Sequence, residues 1–195
     1  MKISSCIFLF CVALAAQAQA PFKRHYVNMT EFGGLFGRVM PENNGNGTIN
    51  RTVKNRVNFT FQTFNGVQLK PRLSVGATVG MDWYNTALLL PIAAGVRYDL
   101  AQNKAKKSGL FASFDAGYAT RWLHADATNY QTKGGLMLNP GIGLKIGMKS
   151  GSALILSLSY KRQNARVQNP LGWSELTNYE ARVYNRMAFR LGVSF

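Results

Sequence analysis

The chain has 195 residues, with 23 Lys and Arg against 8 Asp and Glu and a formal net charge of +15. Both cysteines, Cys6 and Cys11, lie close to the N-terminus, so the rest of the chain has no disulfide framework, thiolate metal site or cysteine nucleophile. A soluble protein this basic points to nucleic acid, yet there is no basic helix and no RNP-like motif, and the anion an exported chain meets is lipid phosphate.

Residues 1–20 read as a cleavable signal peptide. Lys2 supplies the positive start, residues 7–16 a short apolar core, and Ala16-Gln17-Ala18 and Ala18-Gln19-Ala20 two small-x-small cleavage patterns, so cleavage is expected after Ala18 or Ala20. Bulky Phe10 before Cys11 does not suit a lipidated cysteine. The remaining 21–195 form one domain by length. No later window is long and apolar enough for a transmembrane helix. Alternating segments of about ten residues recur instead, separated by Gly, Asn, Lys and Pro.

Eight such segments follow in chain order. Residues 25–39 carry Phe32 and Phe36 on one face and Glu31, Gly33 and Gly37 on the other, with Leu35 also on the second face. In 56–68, Val57, Phe59 and Phe61 alternate with Asn58, Thr60 and Gln62, until Phe64 breaks the phase and suggests a bulge or the end of the apolar band. In 72–84, Leu73, Val75, Ala77, Val79, Met81 and Trp83 alternate with small or polar residues that end at Asp82. In 88–100, Leu90, Ile92, Ala94, Val96 and Tyr98 oppose Pro91, Ala93, Gly95, Arg97 and Asp99; Pro91 is expected near a strand end or at a bulge, because it has no N–H to pair. Residues 110–123 set Phe114, Ala116, Tyr118 and Trp122 against Ser113, Asp115, Gly117 and Arg121. Residues 134–148 set Leu136, Leu138, Ile142, Leu144 and Ile146 against Asn139, Gly141, Gly143, Lys145 and Gly147. Residues 153–164 set Leu154, Leu156, Leu158 and Tyr160 against Ser157, Ser159 and Lys161. The last segment, 185–195, alternates Met187, Phe189, Leu191, Val193 and Phe195 with Arg186, Ala188, Arg190, Gly192 and Ser194.

An even number of antiparallel strands puts both chain ends on one side, and an exported N-terminus makes that side periplasmic. The connections 40–55, 85–87, 124–133 and 165–184 are then outside and the shorter 69–71, 101–109 and 149–152 inside, the asymmetry expected of outer-membrane barrels. Periodicity alone does not separate this reading from a soluble, lipocalin-like ligand-binding barrel with its apolar face inside. The polar face does, because mid-strand it carries Gly76, Thr78, Gly95, Gly117, Gly143 and Ser157 rather than the long charged side chains of a wetted exterior. The apolar face therefore looks outward to lipid, with Trp83, Tyr98, Trp122, Tyr160 and Phe195 as an aromatic girdle at its two boundaries.

With these alternating runs, the leader and the terminal Arg190-Leu191-Gly192-Val193-Ser194-Phe195, the chain resembles the small eight-stranded outer-membrane barrel superfamily, the OmpA/OmpX-like and PorT-like barrels. The resemblance implies a closed antiparallel eight-stranded transmembrane β-barrel in the outer membrane of a Gram-negative-type bacterium. It also implies contact with outer-membrane lipid and lipopolysaccharide, and recognition of the C-terminal strand by the barrel-assembly machinery. It implies little about role, since such folds host many functions. No peptidoglycan-binding domain follows Phe195, so the tethering role of larger relatives is not expected.

The polar phase collects Glu31, Asp82, Arg97, Asp99, Asp115, Arg121, Lys145, Lys161, Arg186 and Arg190 inside the barrel. Charges enclosed in this way must pair or be hydrated, so a lumen-filling network is expected, with an ion path as the alternative. Asp82, Asp99 and Asp115 would hold a cation if they met, although no metal-ligand spacing supports it. A hydrolase or acyltransferase acting on lipid A or peptide at the outer face would need a histidine base. His25 lies at the wrong end, and His124 begins an outer connection near Asp126, Thr128 and Tyr130. The glycine groups Gly33-Gly34 and Gly141-x-Gly143 sit within strands and precede no helix, so they fail as phosphate loops. Lys70, Arg72, Lys104, Lys106, Lys107 and Lys149 flank the short turns, where inner-leaflet phosphates lie. The outer connection 165–184 carries Trp173, Tyr179 and Tyr184, aromatic residues of the kind that anchor a recognition surface, with a lid over the mouth as the alternative. The expected function is a non-enzymatic outer-membrane barrel, structural or partner-binding through its outer loops, with no cofactor, metal or nucleic acid.

Overall fold

A computed structural model describes residues 23–39, 54–84, 87–103, 108–121, 131–149, 151–170 and 177–195. The chain forms β1 (Tyr26–Val39), β2 (Lys54–Lys70), β3 (Leu73–Tyr84), β4 (Ala87–Asn103), β5 (Ser108–Arg121), β6 (Gln131–Lys133), β7 (Gly135–Gly147), β8 (Ala153–Pro170) and β9 (Thr177–Ser194). Each long strand pairs antiparallel with its sequence neighbours, and β9 returns to pair with β1, from Met29↔Ser194 to Phe36↔Met187. The short β6 pairs with β8 and is separated from β7 by Gly134 alone, so the wall is a closed ring of eight strands. Phe195 completes the seam, since its N–H and C=O both bond to Asn28 (3.1 and 2.8 Å).

The registers fix the barrel's shape. A path of Cα partners from Gln68 through Ser74, Arg97, Ser113, Gly141, Ser159, Ala188 and Leu35 returns to β2 at Asn58, ten residues from its start. For eight strands about 4.8 Å apart, this stagger gives a tilt of about 40° and a Cα radius of roughly 8 Å. An interior that narrow is filled by side chains.

The alternation decides which side faces in. Ile92, Ile142 and Phe189 on the apolar phase are 57%, 53% and 49% exposed, whereas Arg97 and Asp115 on the other phase are 2% and 0% exposed. A soluble barrel would reverse this pattern, so the lipocalin-like reading is overturned. Among the described residues no helix is long and apolar enough to cross a membrane.

Several local expectations change. Phe64 causes no bulge: its register with Met29 is continuous, and it points inward in phase with Asn58, Thr60 and Gln62. The irregularities fall at Gln68/Lys70 and Asp99/Ala101, near the end of the barrel that carries Tyr26 and Phe195. Pro91 lies inside β4 without a register shift, because pairing with β3 simply lapses between Val79↔Ile92 and Asp82↔Leu89. Gly151, at φ +90°, turns the chain from β7 to β8 in a conformation that a side chain would strain. Most of the connection 165–184 is strand: β8 and β9 stay paired as far as Pro170↔Thr177, well past the point where β1 leaves β9. The leader and the cleavage positions Ala18 and Ala20 lie outside the described residues.

Candidate functional site

The barrel interior holds the candidate site, and the strands deliver its groups in layers. At the end that carries Tyr26 and Phe195, Lys145 on β7 donates to Asp99 on β4 (2.7 Å), and Gln102 also donates to Asp99 (2.8 Å). Both partners of that ion pair stay partly exposed, at 23% and 15% of the side chain. Above it lies an apolar plate of Met29, Phe64, Phe111 and Ile155, with the Lys145 ammonium 5.1 Å from the Phe111 ring centre.

The ionic belt follows. Asp115 on β5 accepts from Thr78 Oγ1 (2.6 Å), Arg97 Nη1 (2.8 Å) and Asn139 Nδ2 (3.0 Å), so three neighbouring strands converge on one carboxylate. The Arg97 guanidinium also lies 4.4 Å from the Phe64 ring centre, where a cation is attracted to the aromatic face. Across the lumen, Glu31 accepts from Gln62 Nε2 (2.7 Å) and Ser157 Oγ (2.5 Å). Higher up, Lys161 Nζ donates to Asp82 Oδ2, and Thr60 Oγ1 to Asp82 Oδ1 (2.8 Å). Arg190 Nη1 donates to Ser159 Oγ (2.8 Å). A second apolar plate of Leu35, Tyr84, Leu89, Ala119 and Ala188 closes the belt from above. With apolar plates on both sides and the charged side chains of Arg97, Asp115, Lys161 and Asp82 at 0–3% exposure, each pair in the belt interacts more strongly than it would at a surface.

Of the ten residues read as lumenal charges, Glu31, Asp82, Arg97, Asp115, Lys161, Arg186 and Arg190 are buried. Asp99 and Lys145 guard one mouth, and Arg121 is exposed at the other because β5 ends there. The three aspartates do not meet: each holds its own cation, and among the described residues no three His, Cys, Asp or Glu are grouped for a metal.

On the outside, Trp83 (61%) and Tyr160 (44%) lie toward the far mouth, and Tyr98 (44%) and Phe195 (64%) lie at the termini end. Trp122, Trp173 and His124 lie outside the described residues, and His25 is exposed. Tyr179 is a β9 residue paired with Gln168. Tyr184 is not an outward loop residue, because it turns into the mouth and stacks on Tyr84 with ring centres 5.1 Å apart. Sequence reasoning missed the two plates. Their only signal is phase: Met29, Leu35, Phe64, Leu89, Phe111 and Ile155 all sit on the alternation shared with the buried charges.

Neither a family model nor a curated protein matches the chain. Solved structures do. The outer membrane protein AlkL, determined in lipid bilayers, aligns with a TM-score of 0.58 at 13% identity, covering 91% of this chain and 92% of that one. OprG from Pseudomonas aeruginosa aligns at 0.56 and 10% identity, covering 87% and 93%. Neisserial surface protein A aligns at 0.51 and 14% identity, covering 89% and 97%. At these identities the likeness is one of fold. The chain folds as a small eight-stranded transmembrane barrel of the outer-membrane type.

Proposed function

We propose that this chain is an integral outer-membrane protein without catalytic activity, whose lumen is a structural plug and whose outward ribbon engages a partner. The observation that carries the reading is the reversed burial, with ion pairs enclosed at 0–3% exposure while Ile92, Ile142 and Phe189 stand open on the wall. Only a hydrocarbon surrounding makes such a wall stable, and a narrow lumen crossed by paired charges has no free path. The termini face the periplasm, the β8–β9 ribbon faces outward, and residues 1–20 are a leader lost after Ala18 or Ala20. Lipopolysaccharide surrounds the outer wall, and the barrel-assembly machinery reads β9. The ribbon supports partner binding because β8 and β9 continue past the wall, held on one side by β6.

Membrane fractionation with heat-modifiable gel migration tests the placement, and extraction without detergent would overturn it. The intact mass of the purified protein reads the cleavage position. Replacing residues 171–176 with a two-residue Asn-Gly turn should abolish partner capture while leaving the folded migration unchanged. Retained capture would refute the ribbon's role.

A further inference from the structure

We propose that the mouth opposite the chain termini contains an oxyanion site, in which Arg186 and Tyr84 bind one phosphate-class group beside the Tyr184 ring. Arg186 is 3% exposed, and its Nε and Nη1 are buried without a hydrogen-bond partner among the described residues. The Tyr84 hydroxyl is likewise buried and has no hydrogen-bond partner among the described residues. The two residues belong to one cluster: Tyr84 stacks on Tyr184, the Arg186 guanidinium carbon lies 6.0 Å from the Tyr184 ring centre, and Arg186 is within electrostatic reach of the Tyr84 phenol.

A guanidinium cannot shed its proton, so this buried charge must be met by an anion or by water. The nearby carboxylate, Asp82, is already occupied by Lys161 and Thr60. The buried charges of the described barrel are Arg97, Lys161, Arg186 and Arg190 against Glu31, Asp82 and Asp115, which leaves one cation in excess. Arg56, exposed at the same rim, adds the same sign and draws anions toward the opening. Three N–H and O–H donors from two residues suit a tetrahedral oxyanion, which offers more acceptor oxygens than a carboxylate, and an arginine fork matches phosphate geometry. Gly37 makes room for this arrangement, because a Cβ there would lie 2.2 Å from Arg186 Nη1.

The phosphate comes either from solution or from a lipid headgroup. The test uses full-length folded barrel in detergent, titrated with inorganic phosphate against chloride at constant ionic strength. A second arm titrates mixed micelles of phosphorylated or dephosphorylated lipid A. Saturable binding in the first arm marks a soluble oxyanion, and binding confined to phosphorylated lipid marks a headgroup; both support the site. Arg186→Gln should weaken binding by at least about tenfold, and Tyr84→Phe by a smaller factor, with folded gel migration kept. If Arg186→Gln does not fold, Gly37→Ala keeps every charge, displaces the guanidinium and should show the same loss. No preference for phosphate over chloride in either arm, or unchanged binding in Tyr84→Phe, overturns the proposal. The site does not depend on what the β8–β9 ribbon binds.

Discussion

Replacing Asp115 by Ala gives the sharpest test of the sealed ionic belt. The substitution strands the Arg97 guanidinium, which is 2% exposed and has Asp115 as its ion-pair partner at 2.8 Å. Removing one member of a buried pair costs about 3–5 kcal/mol. Thr78 Oγ1 and Asn139 Nδ2 lose their acceptor as well, at about 1 kcal/mol each. The single variant should therefore lose roughly 5–7 kcal/mol. The double variant Asp115→Ala/Arg97→Met removes the stranded charge and keeps a polarisable group over Phe64, so only the loss from the two orphaned donors remains, about 2 kcal/mol. The assay is urea unfolding in detergent micelles, read by tryptophan fluorescence and by loss of the heat-modifiable band. A loss below about 1.5 kcal/mol in the single variant, with no recovery in the double, would mean that water reaches Arg97. The belt would then be a hydrated path rather than a plug, and a rise in single-channel conductance across a planar bilayer would show it directly.

Other perturbations separate the wall, the mouth and the backbone. Lys145→Ala, which breaks an ion pair left partly open to solvent, should cost at most about 1 kcal/mol in the same urea series. Ile142→Arg places a charge midway along β7 on the exposed apolar wall and should cost about 2–4 kcal/mol in lipid vesicles; a neutral result would argue against contact with acyl chains. Gly76→Ala puts a Cβ 2.1 Å from the Asn65 carbonyl of the neighbouring strand, so the β2–β3 seam must open, at about 1–3 kcal/mol of unfolding free energy in the urea series. Leu35→Ala thins the upper plate and should cost about 2–5 kcal/mol, whereas exposed Phe36 next to it should lose far less on the same truncation when measured in detergent.

How much of this was legible in the sequence follows from the period of a strand. Alternation is a local property, so Ile92 against Arg97 or Phe189 against Arg190 already shows two unlike faces, and the small residues Gly76, Gly95 and Gly143 show which face is enclosed. The eight-stranded closed barrel and its outward apolar wall were readable from that pattern, whereas of the ten charges read into the interior Asp99 and Lys145 stay at one mouth and Arg121 is exposed at the other. Strand ends were less readable, because β8 and β9 stay paired up to Pro170↔Thr177, well beyond the run of large apolar residues that ends at Tyr160.

Partner choice inside the lumen belongs to the tertiary structure alone. Asp82, Asp99 and Asp115 look alike in the chain, but the ten-residue stagger sets Lys161 beside the first, Lys145 beside the second and Arg97 beside the third. The same stagger gathers Phe64, which read as a break of phase, with Met29, Phe111 and Ile155 into one plate. It also turns Tyr184 from a loop residue into the stacking partner of Tyr84. The alternation of residues determined which side of each strand is enclosed, because a strand's period is written into consecutive positions. Which enclosed groups meet was decided only when the wall closed, because registers between strands far apart in sequence set those distances.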